Sequence, residues 1–258
     1  MPISSAVSGA VTHTENTRLI HVVAGPTGVG KSAAATGLAR ITGAPIVVAD
    51  RIQCFTDLAT TSARAGDEVT DVQRFWLGDR TVAEGDYTAA EAVERLVSTL
   101  LTLGDDHPFM IVEGGSISVL WDFAERLPEL PFRTTVRLFH IADRRRHVEN
   151  LTRRARTMLV PDGPEKSTLE ELATAWKNPD QRSFLASVNG FEAILEWCAT
   201  HSVAVESLSP ASLSDEQMET LAGMIAVRHA EHGFLQDRIF SRIFNTSTST
   251  STTMTTAA

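Results

Sequence analysis

The chain has 258 residues, 43% of them hydrophobic and 21% charged, with a net charge of −9 at pH 7, which is typical of a globular protein. The acidic balance argues against a large nucleic-acid interface, because such a surface needs a basic face. No apolar run approaches the roughly 20 residues of a membrane span, and the first 18 residues lack the pattern of a secretory signal. The two cysteines match no metal spacing. We therefore expect a reduced, cytoplasmic protein with no membrane partner.

Four segments follow one another along the chain. Residues 1–17 are small and polar, and we expect a flexible tail there. Residues 18–160 predict an α/β core, and residues 161–244 predict a small helical lobe that completes a substrate site. The Ser/Thr-rich end, residues 245–258, has almost nothing to bury and is expected to be disordered.

Short apolar runs and helical periodicities alternate through the core. The predicted strands span residues 19–24, 45–49, 109–112 and 136–141. The predicted helices span residues 31–41, 88–103 and 143–158, followed by helices within 165–200 and 212–240. Alternation of this kind indicates a parallel sheet that helices cover on both faces.

The segment GPTGVGKS, residues 25–32, matches the pattern G-x-x-x-x-G-K-[ST] between a predicted strand and a predicted helix. Backbone N–H groups of such a loop surround phosphate, and the helix N-terminus adds positive potential. Lys31 is expected to neutralise phosphate charge, and the Ser32 hydroxyl to bind Mg²⁺. The loop therefore predicts a P-loop NTPase-like fold. The residues that allow its turns are Gly25, Gly28 and Gly30.

Three further features narrow the chemistry. Asp50 ends the second predicted strand, where a carboxylate can bind metal, accept a proton or only cap a turn. The third strand ends in Glu113, Gly114 and Gly115; a glycine pair is typical of a backbone that passes close to a ligand, or of a plain turn. Six arginines follow the fourth strand, and we expect one or two of them to bind diphosphate and the rest to face solvent. They are Arg144, Arg145, Arg146, Arg153, Arg154 and Arg156.

Seven segments follow one another along the chain: GPTGVGKSA, DRIQCF (50–55), LGDR (77–80), VEGGSIS (112–118), RRARTMLVP (153–161), AWKNP (175–179) and VNGFEAI (188–194). In this order and at these spacings they resemble the bacterial adenylate dimethylallyltransferases, the isopentenyltransferases that start cytokinin synthesis. The similarity extends from about residue 20 to residue 240. Many enzymes share the phosphate loop, whereas DRIQC together with EGGSIS is far more specific.

The resemblance implies a reaction and a set of residues. Dimethylallyl diphosphate, or its hydroxylated relative, would donate its five-carbon group to N6 of a free adenine nucleotide (AMP first, ADP or ATP as alternatives), releasing pyrophosphate with Mg²⁺ as cofactor. Asp50 would accept the proton, with Thr27 near the amine and Lys31 on the diphosphate. The expected substrate-binding residues are Gly25, Gly28, Gly30, Ser32, Arg51, Thr61, Ser62, Gly114, Gly115, Arg154, Asn189 and His232.

Two positions depart from the family pattern and leave questions open. Asn189 stands where the family often has Asp, so recognition of the acceptor nucleotide is expected to differ. His229 stands where the family has Tyr, near the retained His232, which leaves the donor preference open; the two histidines are also a candidate metal pair without a third ligand. The competing functions are a transfer RNA dimethylallyltransferase, a small-molecule or nucleotide kinase, and a nucleotide-binding switch without chemistry.

Overall fold

The computed structural model describes residues 18–64, 71–161 and 163–247. These residues form a five-stranded sheet in which every pairing is parallel, as the alternation of strands and helices predicted. The strands are β1 (Leu19–Ala24), β2 (Ile46–Val48), β3 (Arg74–Trp76), β4 (Phe109–Gly114) and β5 (Arg133–Leu138). Their order across the sheet is β3-β2-β4-β1-β5, so β1 pairs with both β4 and β5.

Helices connect the strands and build the lobe. None of the helices within the described ranges is long and apolar enough to cross a membrane. The helices are α1 (Lys31–Thr42), α2 (Ala59–Ser62), α3 (Ala89–Leu103), α4 (Ile117–Arg126), α5 (Arg144–Leu159), α6 (Thr168–Ala175), α7 (Arg182–Ala186), α8 (Phe191–His201) and α9 (Asp215–Ser247).

The two faces of the sheet are covered differently. On one face, Ala35 and Ala39 of α1 pack against the strand residues Ile46, Val48 and Ile111. Alanine has a small side chain, so α1 lies close to the sheet behind the phosphate loop. The backbone that leaves β1 can therefore turn directly into the N-terminus of α1, which is the arrangement the phosphate loop requires.

Larger side chains cover the opposite face. Leu96 of α3 and Phe123 of α4 are fully buried in the same cluster as Val22 and Val112 of the central strands. Burial of each such side chain contributes roughly 1.5–3 kcal/mol. This cluster continues into the lobe, where Trp197 of α8 is buried, and so it holds the lobe against the sheet.

The long helix α9 packs along α5 and also contacts α4, α8 and β5. Small residues make this approach close, because Ala226 and Ala230 of α9 meet Leu151 of α5 in one buried cluster. Since α5 follows β5 and α9 crosses beside it, the two helices stand at the carboxyl edge of the sheet. They form a wall above the phosphate loop.

Some sequence-based bounds were wrong. The fourth predicted strand, 136–141, lies at 133–138, because pairing of Leu19 with Arg133 sets its register and the apolar run overlaps only its end. The edge strand β3 was not predicted, since it has three residues and begins with Arg74. Helix α4 was also missed, although Val119 and Phe123 repeat at helical spacing.

The predicted tails at the two ends of the chain lie largely outside the described residues. The predicted N-terminal tail, 1–17, lies outside the described residues. The predicted C-terminal tail begins at 245, yet residues 245–247 continue α9, and 248–258 lie outside the described residues. Helix α9 therefore extends seven residues beyond the predicted end at 240.

Candidate active site

A cleft of about 650 Å³ opens at the carboxyl ends of β1, β2 and β4, with α5 and α9 as its opposite wall. This edge is where ligands bind in open α/β sheets. The cleft brings together all but two of the residues that the sequence predicted for the site. Those that line it are Thr27, Gly28, Gly30, Lys31, Ser32, Asp50, Arg51, Thr61, Ser62, Gly115, Arg154, Asn189 and His232.

The two exceptions, Gly25 and Gly114, do not line the cleft. A Cβ atom at Gly25 would lie 2.6 Å from the carbonyl oxygen of Phe139, and one at Gly114 would collide with the backbone carbonyl of Ala49. These glycines allow neighbouring chain segments to approach closely. Their observed contribution is to the packing that shapes the site.

The phosphate loop ends at Gly30, the residue before α1, which has a left-handed backbone with φ of 92°. Lys31 follows as the first residue of α1 and is only 8% exposed. The Lys31 ammonium donates a hydrogen bond to the Pro26 carbonyl oxygen at 2.7 Å. Burial lowers the pKa of Lys31, while the negative charges of Glu113 and Asp50 oppose that shift. The lysine is thus held over its own loop, beside two carboxylates.

Ser32 and Glu113 form an oxygen pair below this lysine. The Ser32 hydroxyl donates to Glu113 Oε1 at 3.0 Å, and Arg74 Nη1 lies 3.9 Å from Glu113 Oε2. Burial raises the pKa of Glu113, and the charge of Lys31 is the largest opposing influence. A hydroxyl and a carboxylate are the hard oxygen ligands that Mg²⁺ prefers, so the donor set fits this ion. No group of three or more His, Cys, Asp and Glu ligands occurs among the described residues, so water and substrate oxygens would complete the coordination.

Asp50 caps a turn and also lines the cleft. Its Oδ1 accepts a hydrogen bond from the backbone N–H of Ile52 at 3.0 Å, so the capping role is present. The residue also lines the cleft and retains partial exposure. Burial raises the pKa of Asp50, and the Ile52 hydrogen bond and the charge of Lys31 oppose that rise. Because a carboxylate has about four acceptor positions, capping leaves capacity for a second task.

Among the six arginines of α5, Arg154 lines the cleft and the other five are exposed. The exposed ones include Arg145, which pairs with Glu149 at 2.9 Å, and Arg156, which pairs with Glu219. Burial lowers the pKa of Arg154, and the charges of Asp50 and Glu113 oppose this shift. Arg154 therefore faces the same carboxylates as the lysine of the phosphate loop.

The segment after β2 supplies a second side of the cleft. Arg51 Nη1 donates to the carbonyl oxygen of Tyr87 at 2.6 Å, which orients its side chain. Thr61 and Ser62 end the short helix α2 and line the cleft. The Ser62 hydroxyl lies 3.4 Å from the carbonyl oxygen of Ala59, its helical neighbour.

The two departures from the family pattern also meet at the cleft. Asn189, His229 and His232 line it together, and a Cβ atom at Gly190 would lie 2.8 Å from His229 Nε2. Burial lowers the pKa of His229 to about 3, and the nearby Arg154 and His232 add to the effect. His229 is therefore neutral near pH 7. The described residues provide no cluster that would complete a metal site around the two histidines.

Gln236 is a site residue that the sequence analysis missed. Its Oε1 accepts a hydrogen bond from the Thr27 backbone N–H at 2.8 Å, and its Nε2 donates to the Gly115 carbonyl oxygen at 2.6 Å. Gln236 is 4% exposed, and both contacts are part-buried at the cleft wall. The spacing of four residues from His232 places Gln236 on the same face of α9, and that signal was available in the sequence.

Glu171 of α6 is a second missed residue. It is buried and binds the segment that contains Thr61. The bonded residues are separated by 110 positions, so no local pattern indicates the contact.

Most of the chain matches a known protein family. Residues 18–251 match the family model for isopentenyl transferase. The chain belongs to the isopentenyl transferase family. As an isopentenyl transferase it is a prenyltransferase enzyme, and the resemblance inferred from its motifs is confirmed.

Curated relatives of this isopentenyl transferase are named adenylate dimethylallyltransferases. The one from Rhodococcoides fascians is 44% identical over 226 residues, which cover 87% of this chain and 89% of the relative. The one from Ralstonia solanacearum is 30% identical over 230 residues, covering 86% of this chain and 93% of the relative. The similarity thus extends over nearly the whole length of both relatives.

Solved structures of tRNA isopentenylpyrophosphate transferases share the fold. The Bacillus halodurans enzyme superposes with a TM-score of 0.64 at 10% identity, covering 86% of both chains. The Staphylococcus epidermidis enzyme gives a TM-score of 0.57 at 12% identity, covering 86% of this chain and 90% of the other. At such identities the likeness concerns the fold alone, and it confirms the predicted P-loop NTPase-like architecture.

Proposed function

We propose that this isopentenyl transferase moves a dimethylallyl group from dimethylallyl diphosphate to N6 of a free adenine nucleotide, with AMP as the leading acceptor. Pyrophosphate is the second product, and the reaction would be the first step of cytokinin biosynthesis. The observation that carries the proposal is that Asp50 and the phosphate loop line one cleft. A proton acceptor and a diphosphate-binding loop are the two elements that this reaction requires.

Asp50 supplies the base. The N6 amine of adenine is a poor nucleophile and must lose a proton as its bond to the allylic carbon forms. The raised pKa of Asp50 makes its carboxylate a stronger base than an ordinary aspartate. As N6 attacks, the carbon–oxygen bond to diphosphate breaks and Asp50 takes the N6 proton.

The phosphate loop supports the departing diphosphate. The negative charge on the diphosphate grows as the carbon–oxygen bond breaks. Fixed donors in the cleft therefore stabilise the transition state more than the substrate. Lys31, Arg154 and the N-terminus of α1 provide those donors. Ser32 and Glu113 would hold Mg²⁺, which when bound neutralises part of the diphosphate charge.

A free nucleotide is a better candidate than transfer RNA for the acceptor. The net charge of −9 opposes a large RNA interface. The curated relatives that the chain covers almost completely are named for adenylate, whereas the transfer RNA enzymes are similar in fold alone. These two observations favour AMP, ADP or ATP over an RNA adenosine.

One incubation series tests the proposal. The purified protein receives isotopically labelled dimethylallyl diphosphate, Mg²⁺ and one acceptor: AMP, ADP, ATP or an RNA stem-loop with an exposed adenosine. We expect N6-labelled nucleotide and an equal amount of pyrophosphate, with the reaction abolished by EDTA. Label in RNA alone would favour the transfer RNA reaction. Conversion of ATP to ADP with a phosphorylated product would favour a kinase, and tight binding without any product would favour a switch.

A further inference from the structure

Glu171 is a buried carboxylate that the proposed reaction does not use. It belongs to α6 in the helical lobe and is 4% exposed. Its Oε1 accepts from the backbone N–H of Thr60 at 2.8 Å, and its Oε2 accepts from the backbone N–H of Thr61 at 2.9 Å. Oε2 also accepts from the Thr61 hydroxyl at 2.6 Å. One side chain of the lobe thus holds the helical turn that lines the cleft.

These bonds determine the polarity of the Thr61 hydroxyl. A hydroxyl has one proton to donate and two lone pairs that accept. The two backbone N–H groups donate to different oxygens of Glu171, so both carboxylate oxygens act as acceptors and the Thr61 proton points to Oε2. Thr61 therefore retains only its accepting capacity for a ligand in the cleft that it lines.

We propose that Glu171 is a positioning residue that makes Thr61 a hydrogen-bond acceptor in the nucleotide site, so that the site selects a nucleotide group that donates. An adenine nucleotide offers two such groups, the exocyclic amine and the ribose hydroxyls. This inference rests on the proposed function, because it requires that the nucleotide binds beside α2. It assigns a part of acceptor selectivity to a residue pair outside the phosphate loop and Asp50.

The surroundings of Glu171 agree with a fixed, selective role. Burial raises the pKa of Glu171, while the hydrogen bonds from Thr61 and Thr60 favour its ionised form. Its neighbour Glu170 has a different task, since Glu170 Oε2 accepts from the Ser167 hydroxyl and backbone N–H at the start of α6. Glu170 and Glu171 therefore form a matched pair on one helix, one that stabilises the helix start and one that binds the cleft wall.

Binding measurements without turnover test the inference. Calorimetry gives the dissociation constants of AMP, IMP and 2′- and 3′-deoxy-AMP for the wild-type protein and for T61V, T61S, E171Q and E170Q. IMP replaces the exocyclic amine by an oxo group, and each deoxy nucleotide removes one ribose donor. One of these analogues lacks the group that donates to Thr61, and the wild-type protein should bind AMP more tightly than this analogue. We expect T61V to reduce that preference for AMP about tenfold.

The variants separate positioning from folding. T61S retains the hydroxyl and should keep the wild-type preference. E171Q should weaken it, because the amide has one acceptor oxygen and its NH₂ opposes the Thr60 N–H or the Thr61 N–H and hydroxyl, so the hydroxyl proton is no longer fixed. E170Q should lower thermal stability yet keep the preference. T61V carries the test if E171Q does not fold.

Two outcomes would overturn the inference in different ways. If AMP binds and T61V discriminates among all the analogues as the wild type does, Thr61 selects nothing and only this inference is wrong. If the wild-type protein binds none of the adenine nucleotides, the proposed function fails and the inference fails with it.

Discussion

The Gln236 side chain joins the last helix to the phosphate loop, because its Oε1 accepts the backbone N–H of Thr27 at 2.8 Å. The same amide donates to the Gly115 carbonyl oxygen, so one buried residue of α9 spans the loops after β1 and β4. Replacing Gln236 with leucine would remove the partner of two half-buried backbone groups, the Thr27 N–H and the Gly115 carbonyl. We expect the free energy of unfolding to fall by about 0.5–1.5 kcal/mol for each lost hydrogen bond.

Gln236→Leu should also weaken binding of the substrate that the phosphate loop holds, because Gln236 contacts that loop. With Thr27 and Gly115 released, the KM for the prenyl diphosphate is expected to rise about tenfold, by loss of preorganisation. Gln217→Leu provides the control, since Gln217 caps the start of the same helix through the Ser214 N–H. It should lower stability without changing that KM. Equal KM changes in both variants would refute a local role for Gln236.

Asp50→Asn tests the proposed base. The amide keeps the size of the side chain and can still accept from Ile52, but it cannot accept a proton from N6. We expect kcat to fall roughly 10²-fold or more while AMP affinity changes little. Stopped-time assays of product and calorimetry of AMP binding measure the two effects. The exposed carboxylate of Asp106 lies outside the cleft lining and offers a control, and Asp106→Asn should retain activity. An active Asp50→Asn enzyme would remove Asp50 from the mechanism.

The pH profile gives an independent check on Asp50. The residue acts as base only when ionised, so activity falls as pH decreases through its pKa. Because burial raises that pKa, the acid limb of kcat/KM should lie above the value of about 3.9 for an ordinary aspartate. The measurement is a series of kcat/KM values against pH, with folding monitored by circular dichroism. An acid limb at or below that value, in folded protein, would contradict the assignment.

Lys31→Ala tests which ligand occupies the phosphate loop. Lys31 is held over the loop by Pro26, so removing its charge should weaken binding of dimethylallyl diphosphate at least tenfold and leave AMP binding nearly intact. Calorimetry with each ligand separately gives both affinities. Arg153→Ala, which removes an exposed cation from α5, should change neither. Weakened AMP binding with normal donor binding would mean that the two ligands are assigned to the wrong places.

His229 should make the fold sensitive to acid. Its pKa is about 3 in the folded protein, so between pH 6.5 and 3 the unfolded chain binds a proton that the folded chain excludes. The stability contributed by this histidine is complete above pH 6.5 and decreases as pH falls. Between pH 7 and pH 5 the loss is about 2 kcal/mol. Urea unfolding at both pH values should show this loss of about 2 kcal/mol in the wild-type protein and not in His229→Gln. The same pH dependence in both proteins would refute it.

Local sequence accounts for the parts of the fold that depend on neighbouring residues. Helix α3 begins at the capping box of Thr88 and Glu91, and α1 ends at Gly43, so these bounds match the predicted ones within one residue. Both signals work because caps and turns satisfy backbone groups within a few residues. Strand β5 lacked such a signal, because its bounds depend on pairing with β1 and not on its own apolar residues.

The same distinction separates the residues of the site. The sequence by itself determined the phosphate loop, since spacing and flanking elements are enough to specify it, and the motifs determined the family. Only the tertiary structure decided that Arg154 alone among the six arginines of α5 lines the cleft. It also decided that Gln236 and Glu171 hold the cleft walls from 209 and 110 positions away. Hydrogen bonds over such separations follow from how helices pack on the sheet; helical spacing places Gln236 on the face of His232 but does not specify the loops that it binds.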